Sequence, residues 1–379
     1  MGTPHPRGGH RGRAHRARAR KRAAVTEMEG HRPRAAAYAK HAAKASTIET
    51  SLNPKELPVQ YGAYRAGVAG AKELYGSKKK RGLEEFLRLG FQRIGWNGMP
   101  LVNATGRVFG VLAGRPNKAT YAAHILRAFS LLNAAARTAA KGAPSSHRRG
   151  LFAAVTVGIS YGQGQTGAAS LEGEYPELCA QLVGDDSFQE IASFGSAMLA
   201  FWAPRLYQYY RDCNAKLDPT LGKPRPFRRS VFAAATFNLG PNVWTFKHRD
   251  VLNLPFGWCA ITALGDFDHT KGGHLVLWEL KLIIEFPPGA TILIPSATIA
   301  HSNVPVDRTE HRCSFTQYTA GGLFRYADNG LRTEAELAVE DPEMYDKLLA
   351  EKDVRWQKGV DLWSTLEELV ELAETMEPE

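Results

Sequence analysis

The feature that most constrains the fold is a block of short apolar segments between Ser230 and Tyr318, separated by Gly, Pro, Asp and Asn. Segments of this length are typical of strands, and the turn residues between them exclude long helices. The predicted strands are Val231–Asn238, Trp258–Leu264, Gly273–Glu279, Leu282–Phe286, Ala290–Pro295 and Arg312–Tyr318. Many short strands with regular turns indicate a sandwich or a jelly roll, the latter also called a double-stranded β-helix.

Helical patterns precede this block. Apolar residues recur at helical spacing across Tyr121–Ala136, and a second, longer helix is predicted to begin at a capping box of Ser187 and Glu190 and to bend at Pro204. We therefore predict an α+β fold, in which helices buttress a jelly-roll core over about residues 228–325.

Residues with the chemistry of a metal site fall inside the strand block. His248 and Asp250 stand two apart on a segment predicted to be extended, so their side chains point to the same side while Arg249 points away. His301 follows the Pro-Pro-Gly turn and buried strand of residues 286–295. Two histidines and one carboxylate form the facial triad of non-haem iron enzymes, which leaves metal positions open for a cosubstrate and dioxygen. We therefore predict that His248, Asp250 and His301 bind Fe(II) and carry the catalysis.

Three other histidines compete with His301 for the third ligand position. His269 lies in a turn-like segment where a solvated side chain is expected, and His274 begins a strand with no arginine ten or eleven residues later. His311 directly precedes Arg312, so on a strand it faces the opposite side. His301 is favoured because Arg312 follows it by eleven residues.

The last strand offers groups for a carboxylate cosubstrate. Arg312 and Ser314 share one face of this strand with Thr316 and Tyr318. A planar guanidinium suits a carboxylate, and a neighbouring hydroxyl adds a hydrogen bond. We predict that Arg312, Ser314 and Asn238 bind 2-oxoglutarate, although Asn238 precedes Gly-Pro and is equally explained by turn chemistry. Zinc in the triad would leave Arg312 and Ser314 without a role.

A second motif, Gly162-Gln-Gly-Gln-Thr-Gly167, matches the dinucleotide fingerprint. The residues after it continue poorly as a helix, and no βαβ unit surrounds the motif. We predict a flexible loop and no dinucleotide cofactor.

Charge is distributed unevenly along the chain. Residues 1–50 contain twelve Lys and Arg against three Glu, whereas residues 331–379 contain five basic against fifteen acidic residues. Residues 51–330 carry a net charge of +11. A basic body with a basic arm suits a polyanionic partner. Three regions are thus predicted: a disordered basic arm over 1–50, a dioxygenase domain over 51–330 and an acidic helical cap over 331–379.

The basic arm alone is most often a solvated tail or a nuclear address. No apolar run approaches the length of about 20 residues that a membrane span needs, so a membrane is not expected as a partner. We predict a nuclear location. The sequence does not define the oligomeric state.

Four segments resemble the fungal branch of the TET/JBP oxygenases, which oxidise the methyl group of modified bases in DNA. They are residues 253–265, residues 271–280, Glu285-Phe-Pro-Pro-Gly and residues 314–325. The resemblance covers roughly residues 85–365. It implies that His248, Asp250 and His301 are the iron ligands and that Arg312 anchors the distal carboxylate of 2-oxoglutarate. The cysteine-rich region of the animal enzymes and the modified-base-binding domain of the kinetoplastid enzymes have no counterpart in this sequence.

The resemblance implies oxidation of 5-methylcytosine in DNA to 5-hydroxymethylcytosine and further products. A stacked base is inaccessible to an active site, so the methylated duplex would have to present it flipped out, and Phe246, Tyr161 or Trp244 are candidates to stack on it. Two alternatives remain open. The same cofactor chemistry could act on methylated adenine, RNA or a protein side chain, or the chain could be a catalytically silent DNA-binding jelly roll.

Overall fold

The computed structural model describes residues 20–68, 79–116, 118–139, 147–171, 173 and 175–376. The strands are β1 Ile48–Glu49, β2 Gln92–Ile94, β3 Pro100–Val102, β4 Val108–Gly114, β5 Ala154–Ser160, β6 Ala169–Ser170, β7 Ala234–Asn238, β8 Cys259–Asp266, β9 Leu275–Leu277, β10 Leu282–Ile284, β11 Thr291–Ile294, β12 His301–Asn303 and β13 His311–Tyr318. The predicted strand block is thus present, with bounds that differ from the predicted ones by a few residues.

The helices are α1 Ala35–His41, α2 Leu83–Arg88, α3 Ala119–Ala139, α4 Pro176–Gly184, α5 Asp186–Trp202, α6 Pro204–Leu217, α7 Gly321–Asp328, α8 Glu334–Glu340, α9 Pro342–Ala350, α10 Arg355–Val360 and α11 Leu366–Glu374. Residues 20–29 are also helical, and single turns of 3₁₀ helix span Pro54–Glu56 and Asp218–Thr220. The mixed α+β class is therefore confirmed. Among these helices, none is long and apolar enough to cross a membrane.

The strands form two sheets. The larger has the order β1-β3-β4-β11-β8-β13-β7-β5-β6, and the smaller has the order β12-β9-β10-β2. Apolar side chains from both sheets, such as Ile292 and Ile294 of β11 and Leu277 and Ile284 of β9 and β10, belong to one buried core. The small sheet contributes His301, and the centre of the large sheet contributes Arg312.

Helices cover the part of the large sheet around β7 and β13. The ring of Phe188 in α5 packs edge-on against that of Phe237 in β7, with the ring centroids 4.9 Å apart, and it also contacts Phe315 of β13. The predicted long helix is two helices separated at Ala203, because the proline that follows has no N–H to continue the hydrogen-bond ladder.

The predicted capping box is corrected. Asp185, not Ser187, caps helix α5, and its side chain accepts a hydrogen bond from the backbone N–H of Ser187. Both residue types are good caps, so the local pattern could not distinguish a start at either position.

The N-terminal segment also differs from the prediction. Residues 20–50 were expected to be disordered, yet α1 packs against α11 and buries Tyr38, whose ring stacks on Phe201 at 4.6 Å between centroids. The burial depends on a partner helix far away in the sequence, which no local pattern reveals. Residues 1–19 of the predicted arm lie outside the described residues, and the division into three regions stays a prediction.

The C-terminal segment is helical, as the predicted cap requires. Leu369 of α11 is fully buried, and the indole N–H of Trp363 donates to the carbonyl of Phe256 at 2.8 Å. On the outer side, Glu368 forms an ion pair with Arg205 at 2.7 Å. These contacts join the acidic segment to the core of the protein.

Candidate metal centre and adjoining cavity

The backbone places the two predicted histidine ligands opposite each other. The N–H of His248 donates to the carbonyl of His301 at 3.0 Å, and the N–H of His301 donates back at 2.9 Å. The residues thus form an antiparallel bridge, in which directly opposed side chains lie on the same face. Their ring centroids are 4.3 Å apart.

Asp250 lies two residues beyond His248 on the same extended segment, and its N–H donates to the carbonyl of Ser296 at 2.9 Å. The alternation of an extended chain directs Asp250 towards the histidines and turns Arg249 away, where it pairs with Glu279. The Asp250 carboxylate oxygens lie 4.0 Å from Nε2 of His248 and 3.8 Å from Nε2 of His301.

Hydrogen bonds fix which nitrogen of each ring faces the carboxylate. Nδ1 of His248 donates to the carbonyl of Phe246 at 2.8 Å, and Nδ1 of His301 donates to the carbonyl of Ile299 at 3.0 Å. A carbonyl only accepts, so Nδ1 carries the proton in each neutral ring and Nε2 presents a lone pair. Carbonyl partners of this kind orient histidine ligands in metal sites.

The protonation states suit a metal. Burial and the neighbouring His301 lower the pKa of His248 to about 3, which keeps the ring neutral. Burial raises the pKa of the Asp250 carboxyl, but nearby positive charge, chiefly that of Arg149, outweighs this effect and holds the pKa well below its usual range. A neutral imidazole and an ionised carboxylate are the forms that bind metal ions.

The donor set fits a divalent cation. The three side chains are buried, their ligand atoms lie within 4.8 Å of one another, and Oδ1 of Asp250 has no hydrogen-bond partner within the described ranges. Two imidazole nitrogens and one carboxylate oxygen on one face match the set that non-haem Fe(II) sites use. The structure therefore brings the predicted ligands together.

The rival histidines do not join this group. His274 is fully buried, and burial lowers its pKa to about 4, but it lies outside the one cluster of possible metal ligands that the described residues form. His311 is exposed at the start of β13, and His269 lies in the loop before β9.

Arg312 is buried in the large sheet with only 1% of its surface exposed. One guanidinium nitrogen donates to the carbonyl of Val243 at 2.9 Å, whereas Nε has no partner and no acidic group among the described residues forms an ion pair with it. Burial lowers its pKa to about 10, so the side chain remains a cation at neutral pH. A buried cation without a counter-ion is costly, which indicates that an anionic ligand completes this site.

Two further predicted cosubstrate residues lie beside Arg312. Ser314 is opposite Asn238 in the pairing of β13 with β7, and the Asn238 side-chain amide donates to the Ser314 hydroxyl at 2.9 Å. Both side chains are buried. Asn238 is therefore a strand residue that faces Ser314 and not part of a turn.

A cavity of about 360 Å³ adjoins Asp250. Its lining contains four arginines, and the candidate metal ligand Asp250 is its only acidic group within the described residues. The arginines are Arg65, Arg148, Arg149 and Arg325. Gly162 and Gln163 of the glycine-rich loop also line this cavity, so the loop rims the pocket.

The three aromatic residues considered for base stacking differ in their surroundings. Tyr161 lines the cavity, where it stacks on Tyr326 with 4.4 Å between centroids. Phe246 and Trp244 pack edge-on against each other, Phe246 is buried, and its backbone carbonyl accepts the Nδ1 hydrogen bond of His248. Tyr161 is the one placed to contact a ligand in the cavity.

Arg148 and Arg149 are not among the site residues predicted from the sequence. They approach Oδ1 of Asp250 to 3.9 and 3.6 Å, respectively, although they precede it by about a hundred positions. The available signal was the adjacent basic pair in His147-Arg-Arg-Gly, which is common on protein surfaces and carries no information about its partner.

No protein-family model and no curated protein matches this chain. Similar solved structures include NgTET1 in complex with 5mC DNA, with 12% identity, a TM-score of 0.44 and coverage of 66% of this chain and 87% of the other. A viral collagen prolyl hydroxylase from Paramecium bursaria Chlorella virus-1, in a 2OG complex, has 13% identity, a TM-score of 0.25 and coverages of 51% and 88%. An oxidoreductase of the 2OG-Fe(II) oxygenase family from Burkholderia pseudomallei has 17% identity, a TM-score of 0.29 and coverages of 56% and 84%. These values are too low to assign a family or a substrate.

Proposed function

We propose that this chain is an Fe(II)- and 2-oxoglutarate-dependent dioxygenase that oxidises 5-methylcytosine in DNA to 5-hydroxymethylcytosine and more oxidised bases. The observation that carries the proposal is the pairing of a buried His248-Asp250-His301 donor set with a buried cation, Arg312, that lacks a counter-ion. We further infer that the two sheets are the two faces of a jelly roll, and that the protein acts in the nucleus.

The chain's own residues prepare the metal. The Nδ1 protons of His248 and His301 are held by backbone carbonyls, so both Nε2 lone pairs face the Asp250 carboxylate before any ion arrives. When bound, Fe(II) with 2-oxoglutarate and dioxygen supplies an oxidant strong enough to hydroxylate a methyl group. Burial of the donor set keeps bulk water from the reacting groups.

Arg312 binds one carboxylate of the cosubstrate in this proposal. A guanidinium presents a planar fork of donors, and its unpartnered Nε is available to a carboxylate oxygen. The Ser314 hydroxyl adds a donor next to it, and Asn238 holds that hydroxyl in place. Two carboxylates distinguish 2-oxoglutarate from a simple 2-oxo acid, so this cation selects the cosubstrate.

The cavity favours a nucleic acid as the substrate. The four arginines of the cavity lining suit phosphate groups, and Tyr161, whose ring stacks on Tyr326, adds an aromatic side chain to the same lining. A methyl group on a stacked base cannot reach a buried metal centre, so the base must be flipped into the cavity at a cost of a few kcal/mol.

The test is an oxidation assay with purified protein, Fe(II), 2-oxoglutarate, ascorbate and a 5-methylcytosine duplex, analysed by nucleoside mass spectrometry. We expect 5-hydroxymethylcytosine with the wild type and none with His248→Ala. Parallel reactions contain N6-methyladenine DNA and methylated RNA. Succinate formation that responds only to one of those substrates would replace the methylcytosine assignment, and no turnover of 2-oxoglutarate at all would reject the dioxygenase.

A further inference from the structure

Two arginines lie unusually close to a metal ligand. Nε of Arg149 is 3.6 Å from Oδ1 of Asp250, and Nη2 of Arg148 is 3.9 Å from the same atom. These distances are too long for good hydrogen bonds but short enough for strong electrostatic attraction. In this structure both guanidinium groups lie beside the Asp250 carboxylate, which also faces the two histidine rings.

The same arginines belong to the wall of the cavity. Their side chains are 41% exposed at Arg148 and 27% exposed at Arg149, so both are partly accessible to solvent. Their backbone is anchored, because Phe246 donates its N–H to the Arg149 carbonyl at 2.7 Å and His147 bridges to Gly150. An anchored backbone with long side chains allows the guanidinium groups to turn between Asp250 and the cavity without moving the chain.

We propose that Arg148 and Arg149 couple occupation of the metal site to the binding of a phosphate group in the cavity. A divalent ion at His248, Asp250 and His301 takes over the Asp250 charge that now attracts the arginines. The arginines are then free to pair with phosphate, and the cavity as a whole becomes more positive. This inference rests on the metal centre of the proposed function and adds an order of assembly, in which metal precedes nucleic acid.

The coupling is reciprocal. A phosphate that draws Arg148 and Arg149 away from Asp250 removes positive charge from beside the carboxylate, which favours a cation there. By linkage, the metal strengthens phosphate binding by the same factor as phosphate strengthens metal binding. Couplings of this kind are commonly about fivefold or more.

The experiment measures the affinity of the full chain for a fluorescein-labelled, unmethylated DNA duplex by anisotropy, with and without Co²⁺. Oxygen and 2-oxoglutarate are left out, so that no oxidation occurs. The visible absorption of bound Co²⁺ reports occupation of the metal site independently. We expect Co²⁺ to tighten DNA binding by about fivefold in the wild type.

The decisive variant is Arg148→Gln with Arg149→Gln, in which the Co²⁺ effect should fall to less than about twofold. Arg65→Gln is the matched control, because Arg65 lines the same cavity without an ion pair to Asp250 in the described part of the chain. It should weaken DNA binding in both conditions and keep the full Co²⁺ effect. The single variants, measured in the same way, guard against misfolding of the double one.

The outcomes separate the two proposals. If Co²⁺ absorption is the same in wild type and His301→Ala, the metal centre itself is wrong and the proposed function fails. If Co²⁺ binds through the triad but DNA affinity does not change, the coupling is rejected and the proposed function stands. A Co²⁺ effect that survives in the double arginine variant also rejects the coupling, because the charge of the metal alone would then explain it.

Discussion

At the scale of single residues, the most consequential side chain is the buried Arg312. Its guanidinium lacks a carboxylate partner among the described residues, and the removal of a charge from water without compensation costs several kcal/mol. The unpaired charge therefore lowers the stability of the ligand-free protein. We expect a dicarboxylate that pairs with Arg312 to raise that stability. Ligand binding and thermal stability are linked through this one residue.

We predict that 2-oxoglutarate raises the melting temperature of the Mn²⁺-loaded wild type, and that Arg312→Met abolishes this 2-oxoglutarate-dependent shift. The reason is that Met fills the space but offers no donors to a carboxylate. At a ligand concentration about a hundredfold above the Kd, the expected stabilisation is about 3 kcal/mol. Differential scanning fluorimetry measures the shift, with Arg312→Lys as the control that keeps charge without the fork. An undiminished shift in Arg312→Met would show that the cosubstrate binds elsewhere.

The burial of His274 makes the stability of the protein depend on pH. Burial lowers its pKa from 6.5 to about 4, so the unfolded state binds the proton more readily and stability is lost as the pH falls through this interval. We expect roughly 2 kcal/mol of this loss between pH 7.5 and pH 5 to come from His274. Urea unfolding of the metal-free protein at both pH values should show a smaller loss for His274→Leu. The exposed His311→Gln serves as the control, and an identical loss in His274→Leu would contradict the assignment.

At the scale of secondary structure elements, α1 connects the N-terminal segment to the body of the protein. Tyr38 fills a site between Phe201 and the C-terminal helix α11, but its hydroxyl is buried without a partner in the described ranges. Burial also raises the pKa of this hydroxyl to about 12. The ring and the hydroxyl therefore have opposite effects on stability.

We predict that Tyr38→Ala lowers the free energy of unfolding by about 3–5 kcal/mol, since it removes a buried aromatic ring. Tyr38→Phe should leave the stability unchanged or raise it slightly, because a buried hydroxyl without a partner is lost. Urea denaturation of the full chain measures both. A loss of comparable size in Tyr38→Phe would mean that the hydroxyl has a partner.

The elements also show which parts of the molecule a sequence reveals. The strand block and the grouping of His248, Asp250 and His301 could be predicted, because alternation, turn residues, the spacing of His248 and Asp250 and the position of Arg312 eleven residues after His301 can be read from the sequence. Arg148 and Arg149 could not, because their role depends on a contact across about a hundred residues. The sequence also did not reveal that α1 is folded and not disordered, because its partner helix α11 is distant in the chain.

At the scale of the whole molecule, charge is separated along the chain. The acidic C-terminal helices contact the rest of the protein through ion pairs such as that of Glu368 with Arg205. Four arginines line the cavity beside Asp250. Residues 1–19 contain five arginines and no acidic residue, so they add positive charge to the chain. Sequence-independent attraction to DNA is the expected contribution of this segment.

Deletion of residues 1–19 should therefore weaken DNA binding without a loss of oxidation per bound duplex. The segment contains five arginines, so the slope of log affinity against log salt should decrease by up to about 4–5. Anisotropy titrations at several salt concentrations measure this slope. An unchanged slope would mean that the segment does not contact the phosphates.

The antiparallel backbone bridge between His248 and His301 has a consequence for the evolution of this sequence. Its hydrogen bonds join main-chain atoms only, so any residue except proline at the two positions can form them. The backbone fold and the metal-donor side chains can therefore change independently. One substitution at His248 or His301 removes a metal donor and leaves the backbone bridge in place. Variants that lack either histidine are therefore expected to keep the fold and lose the metal donor set, so the side chains at the two bridge positions would distinguish them from chains that can bind the metal.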